Sequence, residues 1–334
     1  MGLKGPTPAQ LAEGVLAGNR RAIGRALTLL EGRKAEQRRA ANLLLSCLRP
    51  GRTGLRVGIS GVPGAGKSTF IERLGLHLLE QGQRVAVLAV DPSSLISGGS
   101  ILGDKLRMPQ LATHPDAFIR SSPNSGAHGG VAAHTRECSF LLQAAGYDVV
   151  LIETVGVGQS EVTAATMTDC FLVLMLPNAG DEIQGLKRGI LEWADVLVVN
   201  KADQPADPVV QLAMQALSAA TRLARPRFPG HTPAVLSASG LSGRGVAEVW
   251  QAVLSHLEFL RRSGQLEDLR RDQERRWFRD LWREQLELLL QENQAYQAAM
   301  ENAFSPWQAG QELEAKVQEA LALVVGQTPQ SASN

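Results

Sequence analysis

Residues Gly61-Val62-Pro63-Gly64-Ala65-Gly66-Lys67-Ser68 complete the pattern G-x-x-x-x-G-K-[ST], with Thr69 directly after it. A loop that wraps a chain of phosphates must turn several backbone N–H groups inward, and bulky residues at Gly61, Gly64 and Gly66 would block that approach. Lys67 then brings a mobile positive charge to the β- and γ-phosphates, the Ser68 hydroxyl is a ligand for Mg²⁺, and the Thr69 hydroxyl backs the loop. The motif requires a strand before it and a helix after it. Leu55–Ser60 reads as that strand and Thr69–Gln81 as that helix.

A second set of residues chooses the base. Asn200-Lys201-Ala202-Asp203 follows directly on the predicted strand Val196–Val199. The Asp203 carboxylate accepts from the two adjacent N–H donors that guanine presents and adenine lacks. Asn200 braces the loop and the base edge, and the Lys201 stem covers a ring face. A wrong base would leave buried polar groups unpaired, which allows discrimination of roughly 10⁴-fold. After the predicted strand Ala234–Leu236, Ser237-Ala238 forms a third loop whose backbone N–H groups can meet the base oxygen. A lone N-K-A-D is more often an ordinary loop; with the phosphate loop and the Ser-Ala loop at this spacing it selects GTP over ATP.

Glu153-Thr154-Val155-Gly156 closes the predicted strand Val149–Ile152 and takes the place of a D-x-x-G element. Gly156 offers its N–H to the γ-phosphate, while Glu153, one methylene longer than Asp, suits a Mg²⁺ contact through water. Asp91, ending the predicted strand Val85–Val90, and Asp104, in Gly-Asp-Lys, are further oxygen ligands or water-positioning groups. Ser68, Asp91, Asp104 and Glu153 are thus the expected metal set, and Lys67, Asp91, Asp104 and Glu153 the expected catalytic set. An Asx turn before Pro92 and a solvated surface charge are the plainer alternatives for Asp91 and Asp104.

Where Ras-like enzymes carry a Gln that orients the attacking water, this chain has Val157, and the nearest amide is Gln159. Valine cannot position water, so hydrolysis is expected to be slow until a partner or dimer mate completes the site. Gln159, Asp181, Glu182 and Lys187 are candidate switch residues, the last three equally suiting a solvated helix start. His128 and His134 flank a Gly-rich loop and are further switch candidates.

These loops need a frame. From Gly51 onward short β-branched runs, Phe171–Leu176 among them, alternate with helical segments of ten or more residues, which predicts an α/β domain with a mainly parallel sheet covered on both faces. Thr7-Pro8-Ala9-Gln10 is a helix start, and Leu11, Val15, Ile23, Leu27 and Leu30 continue at helical spacing, so residues 7–48 form a helical lead-in. From about Ala247 the pattern is helical again, with a break at Gly264. Trp277, Leu281, Trp282, Leu286, Leu289 and Leu290 make an apolar stripe to be covered either by residues 7–48 or by a second copy of the chain. The expected domains are an N-terminal helical extension over 1–50, a nucleotide domain over 51–262, a C-terminal helical arm over 263–327 and a disordered tail over 328–334.

Charge and composition exclude other classes. A net charge of +1, from 34 Lys+Arg against 33 Asp+Glu, leaves no basic footprint for nucleic acid. No uncharged apolar run reaches the roughly 18–20 residues that span a bilayer, and the N-terminus has no signal-type apolar region, so neither membrane nor secretion is expected and the location is cytoplasmic. Cys47, Cys138 and Cys170 are too few and too scattered for a disulfide framework or a thiolate cage and read as small core residues.

Together, Gly61–Thr69, Asp91-Pro92-Ser93-Ser94, Gly98-Gly99-Ser100-Ile101-Leu102-Gly103-Asp104-Lys105, the stretch ETVGVGQSE at Glu153–Glu161 and Asn200–Asp203 closely resemble the MeaB/ArgK family of P-loop GTPases. The resemblance covers nearly the whole chain and departs mildly at Leu95-Ile96-Ser97, where a proline-containing run is more usual, and at Leu106 before Arg107-Met108. It implies a P-loop NTPase of the SIMIBI type acting as a homodimeric GTPase chaperone, with the C-terminal arm carrying dimerisation. Such a chaperone associates with adenosylcobalamin-dependent methylmalonyl-CoA mutase or a related acyl-CoA mutase, gates cofactor loading and excludes inactivated cofactor, with Mg²⁺-GTP driving its switch loops. The chain has no Asp-x-His-x-x-Gly element and its six His are dispersed, so cobalamin is expected on the partner. Three rival readings are an ATP-dependent kinase linked to amino-acid transport, a nickel-type metal-insertion GTPase, and a GTP-binding scaffold with incidental hydrolysis. Asn200–Asp203 speaks against the first. The lack of a His-rich tract or paired Cys speaks against the second.

Overall fold

Seven strands pair in parallel: β1 (Leu55–Gly61), β2 (Val85–Asp91), β3 (Ala117–Pro123), β4 (Val149–Thr154), β5 (Cys170–Met175), β6 (Val196–Val199) and β7 (Ala234–Ser237). Their order across the sheet is β3-β2-β4-β1-β5-β6-β7. The computed structural model describes residues 6–32, 34–49, 54–91, 107–123, 130–154, 159–177, 188–204, 206–294, 296–298 and 301. Strands β4, β5 and β6 are buried at every position, as parallel strands covered by helices on both faces must be. Six of the seven strands coincide with the β-branched runs read from the sequence. The seventh, β3, was not foreseen, because an edge strand spelled Ala-Phe-Ile-Arg-Ser-Ser-Pro lacks a continuous apolar run.

The helices among the described residues are α1 (Pro8–Leu16), α2 (Arg20–Leu30), α3 (Ala35–Cys47), α4 (Lys67–Glu80), α5 (Pro109–Thr113), α6 (Gly130–Ala144), α7 (Gln159–Met167), α8 (Arg188–Trp193), α9 (Pro208–Leu223), α10 (Val246–Arg262) and α11 (Gln265–Glu292). The start of α1 is the capping box expected from the sequence: Thr7 N–H donates to Gln10 Oε1 at 2.9 Å and Gln10 N–H to Thr7 Oγ1 at 3.3 Å. Helices α1–α3 lie in one apolar cluster with α6, β2 and β4, where Val15, Ile23, Leu27, Leu30 and Leu44 meet Leu141, Val150 and Ile152. Two ion pairs reinforce this layer. Arg38 makes a two-pronged contact with Glu137 at 2.9 and 3.2 Å, and Arg120 of β3 pairs with Glu31. The opposite face is covered by α4, α5 and α10 through Phe70, Ile71, Leu74, Leu111, Trp250 and Leu257.

One polar device recurs at the amino ends of the strands. Asp148, Asp169 and Asp195 each stand immediately before a strand, and each carboxylate accepts a backbone N–H at the start of the neighbouring one. The donors are Arg84 at 2.9 Å, Arg56 at 2.9 Å and Phe171 at 2.8 Å. Asp169 also receives Arg56 and Arg270 guanidinium groups, while Gln273 of α11 donates to the Thr168 carbonyl at 2.9 Å. The first turns of α11 are thereby fixed to β1 and β5.

The chain divides into two units, Met1–Trp277 and Phe278–Asn334. Within the first, Gly264 turns the chain between α10 and α11 with φ of 72°, the break expected there, and Trp277 packs edge-on to Phe140 at 5.3 Å. Within the second, Phe278 stacks on Trp282 at 6.2 Å, and Trp282, Leu286 and Leu289 are exposed. Cys138 and Cys170 are core residues as expected. Cys47 is a correction: it ends α3 on the exposed side, where a helix terminus turns it away from the core. Among the described residues no helix is long and apolar enough to cross a membrane.

Candidate functional site

The phosphate loop leaves β1 and enters α4. A Cβ on Gly61 would stand 2.3 Å from the Leu174 carbonyl oxygen of β5, so only glycine lets the strand end this close to its neighbour. Gly66 has φ of 81°, and a Cβ there would meet the Asn200 side-chain nitrogen at 2.9 Å. Between them the Ala65 N–H donates to the Val62 carbonyl at 3.1 Å, closing the turn. The Lys67 ammonium lies inside the loop, donating to the Gly61 and Val62 carbonyls at 2.8 and 3.2 Å. Ser68 Oγ donates to Glu153 Oε1 at 3.0 Å, which brings the end of β4 against the first turn of α4. Pro63, Gly64, Lys67, Ser68, Thr69, Glu153, Thr154 and Arg107 line a cavity of about 440 Å³ above these residues. Its position at the carboxyl ends of parallel strands, beside a helix N-terminus, is where such folds receive phosphates.

The loops after β1, β6 and β7 are joined through one buried amide. Asn200, 1% exposed, donates from Nδ2 to the Ala65 carbonyl at 2.7 Å and accepts the Gly240 N–H on Oδ1 at 3.0 Å. It therefore braces the phosphate loop against the loop after β7. Lys201 has φ of 59°, the one non-glycine residue with positive φ among those described, and Asp203 two residues on is exposed. The Asp203 carboxylate accepts a close hydrogen bond from Ser239, whose own Oγ accepts the Ser242 N–H at 3.0 Å. The Ala238 N–H donates to the Val199 carbonyl at 2.9 Å as an extension of the β6–β7 ladder, and Arg244 closes on the Ala202 carbonyl.

Several expected residues lie wholly or partly outside the described residues. Asp91 ends β2, with its side chain outside the described residues, as is that of Gln159 at the start of α7. Asp104, Gly156, Asp181, Glu182, Lys187 and His128 lie outside the described residues altogether. His134 sits in α6 with Nδ1 3.6 Å from Glu137. Burial alone would raise the Glu137 carboxyl, but His134 and Arg38 beside it hold it below the usual carboxylate range.

Two residues were missed. Ser239 follows directly on Ser237-Ala238, and its small hydroxyl type was the available signal. Arg107 reaches the cavity from a separate segment, and no local pattern marked it.

A family model described as methylmalonyl Co-A mutase-associated GTPase MeaB matches residues 23–295. A probable GTPase of Mycobacterium tuberculosis is 54% identical over 268 residues, covering 80% of this chain and 80% of its own. The GTPase ArgK of Escherichia coli is 44% identical over 276 residues, covering 81% and 83%. The mouse protein named methylmalonic aciduria type A homolog, mitochondrial, is 42% identical over 286 residues, covering 82% and 69%. Among solved structures, one described as a LAO/AO transport system kinase aligns with a TM-score of 0.72 at 33% identity, over 97% of this chain and all of that one. The family model's match over residues 23–295 and likeness over four fifths of the chain to proteins named GTPases make this chain a GTPase of the MeaB family.

Proposed function

We propose that this GTPase is a chaperone for an adenosylcobalamin-dependent acyl-CoA mutase, methylmalonyl-CoA mutase foremost, working in the cytoplasm as a Mg²⁺-dependent homodimer. The observation that carries the catalytic part is the Ser68–Glu153 pair at 3.0 Å on the floor of a cavity that Lys67 also lines. A hydroxyl and a carboxylate are hard oxygen donors, the set that suits Mg²⁺, so Ser68 and Glu153 would hold the ion. When bound, it would offset charge on the β- and γ-phosphate oxygens. Lys67, which rests on two loop carbonyls, exchanges them for phosphate oxygens, and the Asn200 brace keeps the base loop in step with the phosphate loop. Asp203 and Ser239 favour guanine, which supports GTP rather than the ATP of a transport kinase.

The mutase reading rests on the family description and on the resemblance across nearly the whole chain. Val157, in place of a water-orienting Gln, gives the reason for slow turnover alone and for stimulation on docking. The decisive experiment measures GTP turnover by the purified chain with Mg²⁺, alone and with a methylmalonyl-CoA mutase, using ATP as control. Stimulation of about tenfold or more by the mutase is expected. No stimulation, with no complex in either nucleotide state, removes the mutase as partner. The exposed Trp282, Leu286 and Leu289 support the dimer, and sedimentation of a Trp282→Arg/Leu289→Arg variant as a monomer, against a dimeric wild type, checks it.

A further inference from the structure

We propose that Arg107 is a further catalytic residue of the GTPase reaction, supplied in cis, whose guanidinium contacts the γ-phosphate. Arg107 lines the cavity together with Lys67, Ser68, Thr69 and Glu153. Its placement is fixed from below. The next residue, Met108, and Leu111 of α5 are fully buried against α4, where Leu111 fills the space beside Gly75 and a Cβ would meet it at 2.7 Å. Glu72 of α4 accepts the Gln110 N–H at 2.8 Å, satisfying a donor at the start of α5 that helix geometry leaves open. The helix that begins with Lys67 and Ser68 therefore also carries the segment that follows Arg107, which places this residue at the cavity beside the phosphate loop.

The chemistry calls for a charge at this place. In the reaction a water oxygen bonds to the γ-phosphorus, the bond from that phosphorus to the β–γ bridging oxygen breaks, and the water proton passes to the phosphate released. Negative charge builds on the bridging oxygen and spreads over the three γ-oxygens. Among cavity-lining side chains, Lys67 is a point charge and Glu153 is negative, whereas Arg107 presents a planar fork of five donors. With valine at position 157, the chain has no amide there to orient the water, and a fork on the phosphoryl oxygens would add transition-state stabilisation to that of Lys67.

The test compares single-turnover GTP hydrolysis, and affinity for GDP and a non-hydrolysable GTP analogue, in the full chain and its Arg107→Ala and Arg107→Lys variants. The Ala variant is expected to lose 10²-fold or more in rate, as removal of an arginine finger does, while GDP affinity stays within about threefold. The Lys variant is expected to restore little, and millimolar guanidinium ion to restore part of the Ala variant's rate. An Ala variant with unchanged rate, or with weakened binding of both nucleotides and an unchanged rate at saturation, overturns the proposal. A wild-type chain that binds GTP without hydrolysing it overturns the proposal and the GTPase assignment with it; failure of mutase stimulation alone touches neither.

Discussion

At the carboxyl ends of β1, β4 and β6 the chain holds charged groups where a ligand can reach them, while at the amino ends of β4, β5 and β6 it closes charges on protein partners. Lys67 rests on two carbonyls and Asp203 is exposed on a single hydroxyl; both contacts are exchangeable. Asp169, by contrast, is fully buried and receives a backbone N–H and two guanidinium groups. The same sheet thus supports a site that must trade partners and a seam that must keep them.

A comparison within the seam shows what sets its charges. Burial raises both Asp169 and Asp195, but the arginines Arg56 and Arg270 bring Asp169 down to about 2, whereas Asp195, with Arg227 alone at 2.9 Å, is pushed up to about 6. Burial and Arg227 also take the nearby His256 down to about 4. Desolvation raises both groups, and the carboxyl that faces two guanidinium groups is the one that falls.

Four substitutions and a pH series test the contrast between exchangeable and closed ends. The largest expected effect is at the open end: Asp203→Asn removes the acceptor for the guanine donors and should lower preference for GTP over ATP by about 10³-fold in competition binding, with no change in melting temperature. Intact GTP preference would overturn the guanine assignment of this loop. At the closed end, Asp169→Ala strands two buried or half-buried arginines and should cost about 3–5 kcal/mol of unfolding free energy by denaturant titration, with nucleotide affinity of the folded protein unchanged. Arg270→Ala, leaving Asp169 with Arg56, should cost less and raise the Asp169 carboxyl.

The pH series is smaller still. Because Asp169 is lowered in the fold, its contribution is present above the unfolded value of about 3.9 and is lost as pH falls toward 2, a difference of about 2 kcal/mol. Asp195 has the opposite sign. Its raised value means the fold holds the proton more tightly, so its contribution declines as pH rises from about 4 to 6. Thermal melts of wild type and Asp169→Asn between pH 2 and 4 should therefore converge at the acid end and separate above it. The smallest effect is expected for Ser239→Ala, which leaves Asp203 in place without its hydroxyl donor and should weaken GTP binding by about 1 kcal/mol.

The two ends also differ in how far they could be read in advance. The phosphate loop was legible because its chemistry needs contiguous residues: glycines where a Cβ would strike Leu174 or Asn200, then Lys67 and Ser68 at the helix start. The segment Asn200–Asp203 stood out for the same reason, as did the strand–helix alternation that frames both. Ser239 and Arg107 did not. Ser239 matters only because β7 returns it to Asp203, and Arg107 only because α5 docks on α4. Strand β3 escaped because an edge strand has no need of apolar residues on both faces, and Cys47 was misplaced because a helix end can turn a small residue outward.

The sequence by itself determined the G-x-x-x-x-G-K-S motif in its strand–helix setting and the parallel α/β class, since those depend on residue types at short spacing and on hydrophobic period. Tertiary structure decided the rest: that Asn200 bridges two loops, that three aspartates lock the amino ends, that helices α1–α3 share the core of the sheet, and that an arginine from α5's platform lines the cavity beside Lys67 and Ser68. Each of these joins residues distant in the chain, and only the packing of buried surfaces brings such residues within hydrogen-bonding range.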